Sequence, residues 1–276
     1  MRVDIHTHLG RDEKAIDELL AAADALAIDK TVVFSTSTVS GAFTGNRAVL
    51  EACRKHEDRL IAFAFVYLGQ DGPDDVDRLV AEGFRGFKLI RPLVAYNDES
   101  LFPVYERMEA SGFPALFHTG IIGRYNPDVR EPLVDATRMQ VMTLDRVARS
   151  FPKLRIMTAH LGNPNHEDGA VMIRTHPNVF SDLSGSTLKY RSPQYLDSLF
   201  WWGKGDAMYN MSGMTPWDKI LYGTDTLPGF TPDIVKETRS TYDDYQRLFD
   251  AIGVSEENRR KVMGGNAAKL LGLAAS

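Results

Sequence analysis

Short apolar runs alternate along the chain with longer stretches of helical periodicity. The runs fit strands because they are rich in aliphatic and aromatic residues and are bounded by polar or glycine-containing turns. The predicted strands are residues 2–6, 31–35, 61–67, 86–90, 115–118, 155–159, 179–183 and 220–222. Amphipathic segments such as "AIDELLAAADAL" and "PDDVDRLVAEGF" lie between them. This alternation predicts repeated βα units and a parallel sheet.

Eight βα units predict an α/β fold, a (β/α)8 TIM barrel formed as one domain by residues 1–276. A doubly wound sheet is the main alternative. Its nucleotide-binding version is disfavoured, because no G-x-G-x-x-G follows the first strand and no G-x-x-x-x-G-K-[ST] occurs. An irregular insertion rich in Gly, Met and aromatic residues covers about residues 187–218. We expect it to be a functional loop or extra helix.

The composition limits which classes of partner and which cellular compartment we expect for this chain. The chain has 276 residues, a net charge of −5 and no long basic tract, so nucleic acid is not an expected partner. The longest apolar runs, such as "LIAFAFVYL", are too short to cross a bilayer as a helix. Cys53 is the single cysteine, and no signal peptide precedes the first strand, which together predict the cytoplasm. We expect a small-molecule substrate and leave a homo-oligomer open.

Polar side chains stand where several predicted strands end. His6 and His8 end the first strand and, two residues apart, point to the same side. His118 ends strand five, His160 ends strand six and Asp225 follows strand eight. Barrel active sites lie at the carboxyl ends of the strands, so these side chains should converge. Imidazole and carboxylate ligands suit zinc or another divalent transition ion, which lowers the pKa of a bound water to about 7.

Each of these residues also has a purely structural interpretation. A single strand histidine commonly bonds a carbonyl group in the core, and Asp225 in "YGTD" is placed to cap the next helix. A metal site is favoured because all of these residues are expected at the same end of the barrel. His166, in the loop after strand six, is a further candidate to face it.

Seven motifs in order resemble one superfamily. They are "VDIHTH", "GFRGFKL", "FHTG", "TAHLGN", "HPNVFSDLSG", "ILYGTD" and "VMGGNAAKLLGL". In this order and spacing the chain resembles, over nearly its whole length, the amidohydrolase superfamily. The similarity is to its amidohydrolase-2 branch of metal-dependent TIM-barrel hydrolases and decarboxylases.

The resemblance implies roles for the strand-end residues. His6, His8, His118 and Asp225 match the ligands of one divalent metal ion, with zinc expected before Mn²⁺ or another divalent ion. Asp225 matches an aspartate that also exchanges protons with the metal-bound water. His160 matches a histidine that polarises the substrate or moves a proton in members with one metal, or binds the second metal in members with two.

Lys88 on strand four is ambiguous. Some members of the superfamily carry a carboxylated lysine there that bridges two metals. The other interpretation is a buried or mouth-facing lysine held by carboxylates.

The reaction expected from the resemblance is hydrolysis of a C–N or C–O bond of a small, carboxylate-bearing amide, lactone or ester. The alternative is non-oxidative decarboxylation of an aromatic or unsaturated carboxylic acid, because the same ligands serve both. A third possibility is a barrel that keeps the residues for binding or structure only. Structural zinc sites are closed and rich in cysteine, so a chain with one cysteine argues against it.

Candidate substrate-binding residues follow strands four and five. Arg91 and Arg124 are placed to hold a substrate carboxylate through paired hydrogen bonds. Tyr125 stands beside Arg124, and three tryptophans lie in the insertion. Together these aromatic residues are candidates for a wall of the site: Tyr125, Trp201, Trp202 and Trp217.

Overall fold

A computed structural model describes residues 1–12, 14–35, 45–123, 128, 130–204 and 214–273. Eight strands follow one another around a parallel sheet in the order β1 to β8. The strands are β1 (Val3–His8), β2 (Lys30–Phe34), β3 (Leu60–Val66), β4 (Phe87–Leu89), β5 (Ala115–Phe117), β6 (Ile156–Thr158), β7 (Val179–Asp182) and β8 (Ile220–Leu221). The first and last strands also meet. Ile5 N donates to Tyr222 O at 3.1 Å and His8 N to Thr226 O at 3.0 Å. The predicted TIM barrel is therefore confirmed.

Helices follow most strands and cover the outside of the barrel. They are α1 (Ala15–Ala25), α2 (Asn46–Lys55), α3 (Pro73–Glu82), α4 (Phe102–Ser111), α5 (Leu144–Ser150), α6 (His166–Thr175), α7 (Ser186–Tyr190), α8 (Pro193–Leu199), α9 (Ile234–Ile252), α10 (Glu256–Arg260) and α11 (Asn266–Leu271). Within the described ranges, no helix is both long and apolar enough to cross a membrane.

The expected irregular insertion is partly helical. Its described residues form α7, α8 and two 3-10 turns at Trp201–Lys204 and Pro216–Asp218, while residues 205–213 lie outside the described part of the chain. The helices form because each offers an apolar side to the neighbouring α9; for example, Leu196 of α8 is 1% exposed.

The core has two layers, as the alternation of side chains along barrel strands requires. The inner layer is a compact cluster of side chains from inside the barrel, including Ile5, Phe34, Phe63, Leu116 and Leu221. The outer layer lies between strands and helices and is the larger one. The inner cluster closes the barrel below the strand ends, so only its carboxyl end is left for a site.

Strand β1 is irregular. Its register with β2 shifts between Asp4 and Thr7. Ile5 joins the inner cluster, yet the ring of the next residue, His6, also lies inside, 5.4 Å from the ring of Phe34. A local shift of this kind re-aims side chains beside a site. It is the reason that Ile5 fills the barrel while His6 and His8 face its mouth.

Candidate metal centre

The structure brings the predicted strand-end side chains together. His6 Nε2 lies 3.3 Å from His8 Nε2, and Asp225 Oδ1 lies 3.3 Å and 3.0 Å from these two atoms. The ligand atoms of His6, His160 and Asp225 all lie within 4.8 Å of one another. The ring of His118 is 5.3 Å from that of His160. All five residues therefore stand around one point at the carboxyl end of the barrel.

Four described residues other than glycine have a left-handed backbone at this end. The φ angles are 58° at Arg91, 61° at His160, 47° at Leu161 and 57° at Asp225. Such conformations are costly for residues other than glycine and cluster at functional sites. Here hydrogen bonds hold two of them: Asp225 N donates to His6 O at 2.8 Å, and His160 N donates to the Asp182 carboxylate at 2.9 Å.

The histidines of β1 are neutral at neutral pH, as metal-binding imidazoles must be. Burial lowers the pKa of His8 to about 3, although the neighbouring Asp225 raises it. Burial also lowers the pKa of His6, and the Lys88 ammonium adds to that effect. His6 Nδ1 lies 2.8 Å from Asp182 Oδ2.

Asp225 is ionised, with its side chain 28% exposed toward the cavity. Burial would raise the pKa of this carboxyl, but the electrostatic influence of the neighbouring His6 and His160 rings and the hydrogen bond from His8 outweigh it. Its pKa is therefore held well below the ordinary value. The carboxylate is thus available both as a ligand and as a proton acceptor.

The atoms that meet here fit a divalent cation. Asp225 Oδ1 is anionic and faces His6 Nε2 at 3.3 Å, so two electron-rich atoms lie side by side. His118 Nε2 is buried and has no hydrogen-bond partner within the described part of the chain. Buried nitrogens are rarely left unpaired. An ion with imidazole and carboxylate ligands would satisfy all three groups.

Lys88 lies beside these ligands. It is fully buried, with Nζ 3.1 Å from His6 Nε2 and 4.5 Å from the centre of the Phe34 ring. Burial lowers the pKa of Lys88 to about 8, while Asp225 and Asp182 partly oppose the shift. Among the described residues no carboxylate lies within 4.0 Å of its Nζ, so the interpretation of a lysine held by carboxylates is corrected. Asp182 and Asp225 contact histidines instead.

A cavity of about 210 Å³ opens above the site. Its lining combines the polar side chains His8, His118, His160 and Asp225 with an apolar part that includes Ile90, Ile121, Ile122 and Leu227. Arg91 also lines it, and its Nη2 lies 3.5 Å from Glu131 Oε1. Arg91 therefore lines the cavity, whereas Arg124 and Tyr125 lie outside the described residues.

His166 does not line this cavity, contrary to expectation. It is fully buried at the start of α6, where its Nε2 lies 3.3 Å from Thr187 Oγ1. Its Nδ1 has no hydrogen-bond partner in the described ranges. His166 is the first residue of α6, and its side chain lies against Thr187 of α7 instead of facing the barrel mouth.

The expected aromatic wall is also wrong for the tryptophans. Trp202 is 2% exposed and belongs to the outer core layer. The ring of Trp217 packs on Phe200 and Phe249, and that of Trp201 lies under the guanidinium of Arg174. Helix formation in the insertion turns these side chains toward α9 and α6 and away from the cavity.

Sequence reasoning overlooked the residues that hold the histidines. Asp182 and Ser184 contact His6 and His160 from β7 and the turn after it. Tyr96 donates to the carbonyl oxygen of His118 at 2.9 Å. The sequence does contain one indication that Asp182 has a role. It is a charged residue within the apolar run "VFSDL", and a carboxylate buried in a strand needs a partner.

Comparisons with known proteins identify the family and the fold of this chain. The model of the amidohydrolase family, amidohydrolase-2, matches residues 3–273. This chain belongs to the amidohydrolase family. No curated protein matches its sequence significantly.

Solved structures share the fold of this amidohydrolase at low sequence identity. An uncharacterised TIM-barrel protein from Bordetella bronchiseptica is 17% identical with a TM-score of 0.69, over 98% of both chains. An amidohydrolase from Burkholderia multivorans with bound zinc is 15% identical with a TM-score of 0.61, over 99% of this chain and all of the other. A uronate isomerase from Bacillus halodurans is 12% identical with a TM-score of 0.60, over 95% of this chain and 69% of the other.

Proposed function

We propose that this amidohydrolase is a metal-dependent hydrolase that cleaves a C–N or C–O bond in a small, carboxylate-bearing amide, lactone or ester. The observation that carries the proposal is the convergence of His6 Nε2, His8 Nε2 and Asp225 Oδ1 within 3.3 Å. Imidazole and carboxylate atoms open to a cavity are typical of a catalytic metal centre.

His6, His8, His118 and Asp225 would hold one divalent ion, with zinc as the first choice. Zinc is supported by the mixture of imidazole and carboxylate ligands and by the zinc in the Burkholderia multivorans amidohydrolase. When bound, such an ion lowers the pKa of a coordinated water to about 7 and so provides a nucleophile at neutral pH.

Asp225 and His160 would move the protons. Asp225 is an ionised carboxylate, so it can accept a proton from the attacking water. His160 Nε2 lies 3.9 Å from Asp225 Oδ2 and lines the same cavity. Carrying a proton, that nitrogen would donate to the oxygen of the bond under attack and polarise it.

Arg91 would bind the substrate carboxylate. Its guanidinium lines the cavity, and the 3.5 Å separation from Glu131 leaves room for donation to a closer acceptor. The isoleucines at positions 90, 121 and 122 offer an apolar wall for the rest of the molecule. The partner is accordingly a small molecule with one apolar part and one carboxylate.

A parallel substrate screen tests this proposal. Zinc-loaded protein is assayed with carboxylate-bearing lactones, amides and esters for acid release, and with aromatic and dienoic acids for carbon dioxide. We expect hydrolysis of members of the first set, loss of activity after chelation and recovery when zinc is restored. Carbon dioxide release without hydrolysis, or full hydrolysis after chelation, would contradict the proposal.

A further inference from the structure

Asp182 contacts both of the histidines that flank the candidate centre. It ends β7, is fully buried, and uses its two carboxylate oxygens differently. Oδ2 lies 2.8 Å from His6 Nδ1. Oδ1 accepts from His160 N at 2.9 Å, from Ser184 N at 2.9 Å and from Ser184 Oγ at 2.6 Å. One side chain therefore links strands β1 and β6 through their functional residues.

The contact with Oδ2 determines which nitrogen of His6 carries the proton. A carboxylate can only accept, so His6 Nδ1 must donate, and Nε2 is left with a lone pair. Lys88 gives independent support. Its ammonium nitrogen lies 3.1 Å from His6 Nε2. Because an ammonium group can only donate hydrogen bonds, Nε2 must accept and therefore carries the lone pair. That lone pair points to His8 Nε2 and Asp225 Oδ1.

The contacts with Oδ1 hold His160 in its left-handed conformation. The backbone at His160 has φ 61° and at Leu161 φ 47°, and the N–H of His160 is tied to Asp182. Ser184 extends the link: its hydroxyl donates to Asp182, so its oxygen accepts from His160 Nδ1 at 2.9 Å. His160 Nε2 is consequently directed at the cavity.

We propose that Asp182 is a positioning residue that presents the Nε2 lone pair of His6 to the metal and, through Ser184, orients His160. This inference rests on the proposed metal-dependent function. Partners of metal-bound histidines that fix the imidazole in this way typically contribute 10–100-fold to metal affinity.

Asp182→Asn separates the two roles. His160 N and Ser184 N both donate to Oδ1, so the asparagine must keep its oxygen there. Its amide nitrogen then faces His6 Nδ1 and reverses that hydrogen bond, which moves the imidazole proton to Nε2. We expect zinc affinity, measured by competition with a chromophoric chelator, to fall about 10–100-fold. Nitrogen-15 spectra of the metal-free chain should show His6 changing from the Nδ1–H to the Nε2–H tautomer.

Ser184→Ala is the matched control, because it removes the partner of His160 and leaves the carboxylate on His6. We expect unchanged zinc affinity and an unchanged His6 tautomer. An Asp182→Asn protein with wild-type zinc affinity and tautomer would overturn the inference. If that variant does not fold, an Nε2–H tautomer of His6 in the metal-free wild type would overturn it equally. Failure of the wild type to bind zinc would reject the proposed function, while the tautomer comparison would still decide the role of Asp182.

Discussion

His6 Nε2 lies 3.3 Å from Asp225 Oδ1, although one residue is in the first strand and the other follows the last. The contact depends on closure of the barrel, since Asp225 N donates to His6 O at 2.8 Å between the neighbouring strand ends. The candidate centre is thus built where the two ends of the barrel sequence meet. If the first and last strands did not meet, His6 and Asp225 would be separated.

Replacing Asp225 by asparagine should remove activity and keep the fold. The amide keeps the shape but loses the negative charge and the capacity to accept a proton from water. We expect kcat on any hydrolysed substrate to fall by about 10²–10⁴-fold, the usual contribution of a general base. Steady-state kinetics measure the loss, and thermal unfolding close to that of the wild type shows that the barrel is intact. Retention of more than a tenth of the wild-type kcat would remove Asp225 from this role.

Two neighbouring tyrosines should respond oppositely to loss of the hydroxyl. The rings of Tyr245 and Tyr222 are 5.1 Å apart and both are fully buried. Tyr245 Oη donates to Leu221 O and accepts from Leu183 N, both at 3.0 Å, whereas Tyr222 Oη has no partner in the described ranges. Tyr245→Phe should therefore lower the free energy of unfolding by about 1–3 kcal/mol, because it strands buried backbone groups.

Tyr222→Phe is the control for that change, and we expect it to be neutral or slightly stabilising. Chemical denaturation measures both variants. Equal destabilisation by the two would show that the hydroxyl of Tyr245 does not hold the ends of β7 and β8.

The stability of the chain should depend on pH through Asp4. Burial raises the pKa of Asp4 to about 7, against hydrogen bonds from Thr224, the His6 N–H and Thr7 that lower it. The unfolded pKa is near 3.8, so the native state binds the extra proton between these values. Its contribution to stability is complete below pH 3.8 and is lost as the pH rises through about 7. Asp4→Asn has no proton to lose at this position. The melting temperature of the variant minus that of the wild type should therefore increase from pH 4 to pH 8.

Thermal melts in the presence of a chelator measure this difference without a contribution from metal. A constant difference across the range would mean that Asp4 has the same pKa in the folded and unfolded chains.

Gly120 should not tolerate a side chain. Its φ is +95°, and a Cβ built there would lie 1.6 Å from the carbonyl oxygen of Asn163. Gly112 is the matched control, with φ +69° and no atom within 4 Å of such a Cβ. We expect Gly112→Ala to cost about 1–2 kcal/mol for the left-handed backbone alone. Gly120→Ala should cost about 3 kcal/mol or more, since overpacking adds to the same strain. If chemical denaturation shows the same loss of unfolding free energy for both variants, the close approach of Gly120 to Asn163 is contradicted.

The sequence was sufficient to predict the barrel and the convergence of the strand-end side chains at one end of it. Strand alternation and the ends of strands one, five, six and eight place His6, His118, His160 and Asp225 at one edge, because parallel strands share a direction. The shift in β1 that lets both Ile5 and His6 face inward could not be predicted, since a change of register is determined by the neighbouring strand and not by the local pattern.

Residues whose role depends on packing were the ones predicted wrongly or missed. Trp202 and His166 are ordinary candidates for a site from their chemistry, but helices α6 to α8 bury them elsewhere. Asp182 belongs to the site only because β7 lies beside β6 and its carboxylate meets His6 from β1 across the barrel. Such a contact between distant strands becomes visible only when the strands are assembled.

Titration of the metal-free chain with zinc tests the central claim most directly. Calorimetry should give one ion per chain for the wild type and for His56→Asn, which changes a half-buried histidine at the end of α2, before β3 and so at the opposite end of the barrel. His6→Asn should lose this binding, because His6 Nε2 is the atom that both His8 and Asp225 approach. Absence of zinc binding in the wild type, or equal binding by wild type and His6→Asn, would contradict a metal centre formed by these residues.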